Sequence, residues 1–395
     1  MRSNRIRCGL VVAALAALVV ACADRAVPVD AEVQAELERL RALGYVDYSP
    51  RPAEAEESGV TLHDPSRSQP GYRLYTVRPL ARAELIDLEG DLRHAWSDEQ
   101  ADIWSRSLLL EDGDLLVVAS ALPERWLVRY GWNNDQRWRI ELEAHHDLRP
   151  APDGRIATLT MGNRQLPAVH ATVPVRDNAV GFIDTGSGEI ESVSLYEAVA
   201  ASPGQMAMKQ VRVTQELIDL IHANSVRFVG PGPLAGTHPA YEPGNVLVCM
   251  RNQDTVAMLD PGAGELRWAW GQGELEGPHD ATLLDNGNVL IFDNGVRRAW
   301  SRVVEVDPKS GAIVWEYRAP TPQDFFTRSR GGVQRLPNGN TLITQSNDGR
   351  AFEVTPEGEI VWEFYVPHLD EKGHRATIIR LYHYDAAMVE PLLGG

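Results

Sequence analysis

The sequence predicts an all-β fold, a six-bladed β-propeller behind a short N-terminal helical tether, on three observations. Turn glycines recur at 71, 113, 154, 244, 287 and 339, most of them 41 to 52 residues apart, the length of one four-stranded blade. Alternating apolar strands flank these turns, most clearly in Asp285-Asn286-Gly287-Asn288-Val289-Leu290-Ile291 and Pro337-Asn338-Gly339-Asn340-Thr341-Leu342-Ile343. The second half of the unit repeats as well: Leu259-Asp260 with Gly264 and Trp268, Glu305-Val306-Asp307 with Gly311 and Trp315, Glu353-Val354-Thr355 with Gly358 and Trp362. Those tryptophans are expected to pack between blades.

The step from Gly154 to Gly244 is longer because it holds an insertion, in which Val211–Ile221 has the apolar spacing of a helix. The first unit begins at Gly71 with no strand ahead of its turn, while Ala376–Tyr384 is a spare strand after the last full unit. Pairing the two would close the ring and remove an open edge.

Ahead of the repeats the chain divides into residues 1–21, a signal peptide, and 22–69, a tether; the propeller and catalytic domain is expected over 70–395. Arg2, Arg5 and Arg7 precede the apolar run Gly9–Val20, too short to span a bilayer. The end of the run, Val19-Val20-Ala21-Cys22, resembles the lipobox of bacterial lipoproteins, which implies acylation of Cys22; an ordinary secretory signal is the alternative. Ala23, where an Asp tends to retain lipoproteins in the inner membrane, leans towards the outer membrane. The expectation is a periplasmic protein that meets the membrane only through its lipid. In the tether, Glu32–Leu43 reads as a helix with Val33, Leu37 and Leu40 on one face and Gly44 as its stop, and Ser49–Pro70 reads as a linker.

The 395 residues carry a formal net charge of −17 and no Lys/Arg cluster long enough to track a phosphate backbone, which argues against nucleic acid. An anionic small molecule would need positive contacts that are local. With Cys8 in the signal and Cys22 lipidated, only Cys249 remains, so no intramolecular disulfide is expected, and its apolar run Val246–Met250 predicts a buried structural thiol.

In a propeller the first strand of every blade lines the central channel, so equal places in the repeats meet at one axis. His146 lies eight residues before Gly154 and His279 eight before Gly287, each followed by an aspartate, Asp147 and Asp280. His222 opens a third copy, His222-Ala223-Asn224-Ser225-Val226, and the last unit has Arg330 before Gly331 at the equivalent place. Packing does not explain three histidines in register. The aspartates alone could be turn chemistry bonding backbone amides. A zinc site is a rival use of three histidines, against which stands their separation by whole blades around a channel.

These residues resemble the bacterial aryl-sulfate sulfotransferases over about residues 70–366. The segment from Gly277 through His279, Asp280 and Asn286 to Gly295 is similar to the family motif carrying the transiently sulfated histidine. His222–Val226 followed by Val246–Arg251 looks like the family's second histidine and its sulfate-binding arginine, Arg251, and His146 with Asp147 matches the remaining histidine. The resemblance implies transfer of a sulfuryl group from a phenolic sulfate ester to an acceptor phenol, by ping-pong kinetics through sulfohistidine 279, with small-molecule partners and neither cofactor nor metal. No glycine-rich loop is present to bind a nucleotide donor. Two departures are the additional N-terminal β domain of well-known members, for which this chain has no room, and a disulfide near the site; they leave substrate range and oligomeric state open. Competing readings are a non-catalytic outer-membrane propeller that binds a protein partner, and a quinone-dependent dehydrogenase, for which no clear cluster of calcium-binding carboxylates is found.

Overall fold

The computed structural model describes residues 31–211, 213 and 217–394; the expected signal peptide, Cys22 and Ala23 lie outside them. Among the described residues, six antiparallel sheets are arranged as blades. Blades 2 to 5 run in simple chain order, with first strands Ile103–Leu109, Ala144–Pro150, Ala223–Phe228 and His279–Leu283. Blade 6 starts with Gly332–Arg335. In blade 1 the innermost strand is Ile378–Tyr384, which pairs antiparallel with Tyr72–Val77, so the far end of the chain closes the ring as expected. Each innermost strand touches its neighbours all the way round.

The turn glycines behave alike because their conformation demands it. Gly113, Gly154, Gly287 and Gly339 all sit at φ 87–89°, a region that L-residues avoid. Two residues after Asp112, Asp153, Asn286 and Asn338, a backbone N–H returns to the side-chain oxygen, the Asx contact that makes these turns specific.

The repeated tryptophans join blades by a common hydrogen bond. The indole N–H of Trp96 donates to Gly131 O (3.1 Å), Trp268 to Pro308 O (3.2 Å), Trp315 to Pro356 O (2.9 Å) and Trp362 to Leu88 O (2.9 Å). Each thus buries apolar surface and satisfies its polar atom on the next blade; the last bond crosses the seam between blades 6 and 1. Cys249 is buried, and burial pushes its thiol well above the ordinary range, as befits a structural residue.

Two expectations outside the repeats need correction. The stretch Ser49–Pro70 is no linker: Tyr48–Pro52 pairs with His374–Ala376, and Gly59–His63 adds a fifth strand to the outer edge of blade 6. Backbone pairing on an open sheet edge needs no apolar periodicity, so the composition of the segment concealed it. Within Val211–Ile221, Ile218–Asp219 form a short parallel strand against Val175–Ile183; the insertion's helix is Leu195–Ala201, capped by Ser194. The N-terminal helix is found at Ala31–Ala42, with Gly44 at φ 91° behind it.

Replacing Trp362 by Ala removes a fully buried indole from the closing seam. The expected loss is about 3–5 kcal/mol of unfolding free energy, measurable by denaturant titration of purified protein.

Candidate active site

The first strands of blades 3, 4 and 5 are bulged where they reach the axis, between His145 and Leu148, Ala223 and Ser225, and His279 and Thr282. His146 (φ 62°), His222 (φ 51°) and Arg330 (φ 60°) occupy the left-handed region. Such a conformation costs roughly 1–3 kcal/mol for a non-glycine residue and persists where surrounding structure enforces it. Breaking the strand alternation here lets side chains from separate blades meet.

They meet on one atom. The phenolic Oη of Tyr45 lies 3.1 Å from His146 Nε2, 2.9 Å from His222 Nε2 and 3.1 Å from His279 Nε2. The three predicted histidines therefore share one point, and a residue of the supposed tether occupies it.

Their outward nitrogens fix the proton positions. His279 Nδ1 faces Asn294 Oδ1 (2.7 Å) and Gly277 O (3.1 Å), while Asn294 Nδ2 donates to Thr327 O and Arg330 O. Nδ1 of His279 must then carry the hydrogen, leaving an Nε2 lone pair that also accepts from the Arg330 backbone N–H (3.2 Å). His222 Nδ1 donates to Asp219 Oδ2 (2.6 Å), so its Nε2 too faces inward as an acceptor when the ring is neutral. His145 Nε2 donates to Thr160 O, which leaves its Nδ1 to accept from His146 Nδ1 (2.8 Å).

Burial pushes His146 and His279 well below the ordinary imidazole range, reinforced for His146 by neighbouring His145 and for His279 by the Arg251 charge. Burial likewise lowers His145 to about 3. His222 is also lowered by burial, with Asp219 opposing the shift. Asp219 itself is driven up by burial, but His222 and Arg39 outweigh this and keep it ionised.

The cavity is strongly cationic in an acidic protein: Arg39, Arg78, Arg125, Arg176, Arg330 and Arg380 line it, against Asp219. Arg251 is buried beside it, with Nη2 donating to Leu43 O (3.2 Å), Nη1 to Asn252 Oδ1 (2.9 Å), and a buried Nε without a partner. Local positive charge is what an anionic group would require here.

The aspartates that follow two of the histidines do not join them. Asp147 accepts the Val226 N–H of blade 4, and Asp280 the Val333 N–H of blade 6. Both pair with Arg227 (2.5 Å each), and Arg380 lies 3.2 and 3.4 Å from them, in a buried layer of the channel. The amide-bonding reading of these aspartates is thus part of their role. Among the described residues no group of three or more His, Cys, Asp or Glu side chains is placed to hold a metal ion.

Sequence reasoning missed Tyr45, Asp219, Asn294 and His145. Asn294 lies inside the quoted motif, and His145-His146 is a visible doublet. Asp219 stands three residues before His222, a spacing disguised by the helical reading.

The sequence profile of the arylsulfotransferase (ASST) family matches residues 111–366. The chain belongs to the arylsulfotransferase family. No curated protein matches the chain by sequence. Among solved structures it is similar to a Bacteroides caccae protein of unknown function, at 14% identity and TM-score 0.53, covering 79% of this chain and 98% of that one. It is also similar to virginiamycin B lyase of Staphylococcus aureus (12% identity, TM-score 0.46, 82% of this chain and 89% of that one). The first likeness concerns the fold alone.

The buried imidazoles of the site bind fewer protons folded than unfolded, so acid favours the unfolded chain. Their effect is absent above the unfolded value, about 6.5, and stability is lost as pH falls below it, by about 1.4 kcal/mol per pH unit for each such histidine. Unfolding measured at about pH 7.5 and about pH 5.5 should show this drop, and His145→Gln should make it shallower.

Proposed function

We propose that this protein moves a sulfuryl group from a phenolic sulfate ester to an acceptor phenol, with His279 as the nucleophile that is transiently sulfated. Family membership supports a sulfotransferase-type activity. The observation that carries the finer reading is the His279 tautomer. Nδ1–H is held by Asn294 and Gly277, so a neutral Nε2 lone pair points at the place shared with His146 and His222.

A sulfate ester's sulfur is electrophilic but screened by negative oxygens, and its transfer calls for charge neutralisation and alignment. In the first half-reaction His279 Nε2 bonds to sulfur, the bond from sulfur to the aryl oxygen breaks, and the phenolate leaves with the electron pair. Depression of the His279 basicity keeps it unprotonated and nucleophilic near neutral pH. Arg251 and Arg330 neutralise the sulfuryl oxygens, with His146 and His222 facing the same position. The phenolate departs as the anion. In the second half-reaction the lone pair of His222 Nε2, backed by Asp219, takes the proton of the acceptor phenol as its oxygen bonds to sulfur and the bond from sulfur to His279 Nε2 breaks. The imidazolium passes that proton to the next departing phenolate. The N-terminal sequence supports a periplasmic enzyme, lipid-anchored through Cys22 to the outer membrane.

With 4-nitrophenyl sulfate and phenol, wild-type protein should release nitrophenol and form phenyl sulfate, and rapid quenching should find a sulfuryl group on the His279 peptide. His279→Ala should lose both with an unchanged circular-dichroism spectrum; normal turnover by that variant would sink the assignment. Asp219→Asn should lower kcat by about 10²-fold or more, while sulfation of His279 from a donor with a very good leaving group survives.

A further inference from the structure

The most unusual occupant of the site is part of the chain itself. Tyr45 is 7% exposed, and its phenolic oxygen takes the one position common to the three imidazoles. The segment around it is tied down from several sides. Arg251 donates to Leu43 O, Ser329 Oγ (2.7 Å) and Asn347 Nδ2 (3.2 Å) to Gly44 O, and Arg330 to Val46 O (2.5 Å). Arg39 pairs with Asp219 (2.5 Å) and Arg78 with Asp47, while the Arg330 guanidinium stands 5.4 Å from the Tyr45 ring centre. With this strap in place the cavity measures about 70 Å³, far below the roughly 300 Å³ or more of ordinary small-molecule sites.

A donor can enter only when the strap lifts. Two of its ties are made by Arg251 and Arg330, the cations given above to the sulfuryl oxygens, so donor and strap compete for the same guanidinium groups. Once His279 is sulfated and the free phenol has left, the strap returns, and the side chain it brings back is a phenol.

We infer that Tyr45 is the chain's own acceptor: the sulfuryl group on His279 passes to Tyr45 Oη, giving a tyrosine O-sulfate. This rests on the sulfohistidine reading above. The Tyr45 oxygen bonds to sulfur, the bond from sulfur to His279 Nε2 breaks and returns its electron pair to that nitrogen, and the phenolic proton goes to His222 Nε2, which lies 2.9 Å from Oη with Asp219 behind it. In the structure Oη is 3.1 Å from His279 Nε2, so with a sulfuryl group between them the ring sits further back, at the roughly 3–3.5 Å from sulfur that suits attack. Burial holds the Tyr45 hydroxyl above its ordinary value, so it attacks as a neutral phenol with the base beside it. A tyrosine O-sulfate is itself an aryl sulfate, and the same step run backwards would return the group to His279 for an external phenol.

The test uses the full chain with 4-nitrophenyl sulfate and no added acceptor, followed by peptide mapping that separates Tyr45 from Tyr48. The expected result is one sulfuryl group on Tyr45, lost in His279→Ala, and its disappearance when phenol is added after removal of the donor. Tyr45→Phe should lose the label while still releasing nitrophenol once phenol is supplied. Turnover with sulfated His279 and an unmodified Tyr45 would overturn this inference and leave the sulfotransferase standing. Release by Tyr45→Phe but not by wild type would also overturn it, leaving Tyr45 a plug. Absence of nitrophenol release from both proteins would remove the proposed function and this inference with it.

Discussion

Closure of the ring is the constraint on which the site depends. Blade 1 takes its innermost strand, Ile378–Tyr384, from the far end of the chain, and this strand carries Arg380 and Tyr382 into the channel. Without it the inner edge of Tyr72–Val77 would be unpaired and one side of the axis would open to water. The imidazoles of blades 3, 4 and 5 could then keep neither their spacing nor their dry surroundings. The recurring indole bonds from blade to blade resist the same opening from the outside, most directly through Trp362 and Leu88.

Electrostatics is organised in layers along the channel. Asp147 and Asp280 neutralise Arg227 and Arg380 in one buried layer and tie adjoining blades through backbone amides. Beside it the imidazoles are held neutral by burial, and Arg251 and Arg330 are engaged by carbonyl oxygens of the strap, the Asn252 amide oxygen and the Thr377 hydroxyl rather than by carboxylates. Guanidinium groups satisfied by neutral acceptors retain their attraction for an anion, whereas those in the aspartate layer do not. A chain of net charge −17 thus keeps local positive charge at its axis.

Much of the architecture was legible in the repeats. Turn glycines at positive φ, their Asx partners and the spaced tryptophans each have a local cause, so they recur wherever the unit recurs. The convergence of His146, His222 and His279 followed from the rotational logic of those repeats. The roles of Asp147 and Asp280 were less legible, because their partners Arg227 and Arg380 come from other blades. The strands at Tyr48–Pro52 and Gly59–His63 left no periodic trace, since each only completes an edge that other strands had formed.

By itself the sequence determined the repeating unit, the number of blades and the residues brought to the axis, because local turn chemistry and strand patterning act within some forty residues. Only the tertiary structure decided which nitrogen of each imidazole faces inward, since that depends on how the backbone at each blade's inner end turns the ring towards Asn294, Asp219 or His145. It also decided that Tyr45 fills the centre. A segment with little apolar pattern of its own finds its place through hydrogen bonds to a cavity that the rest of the chain must build first.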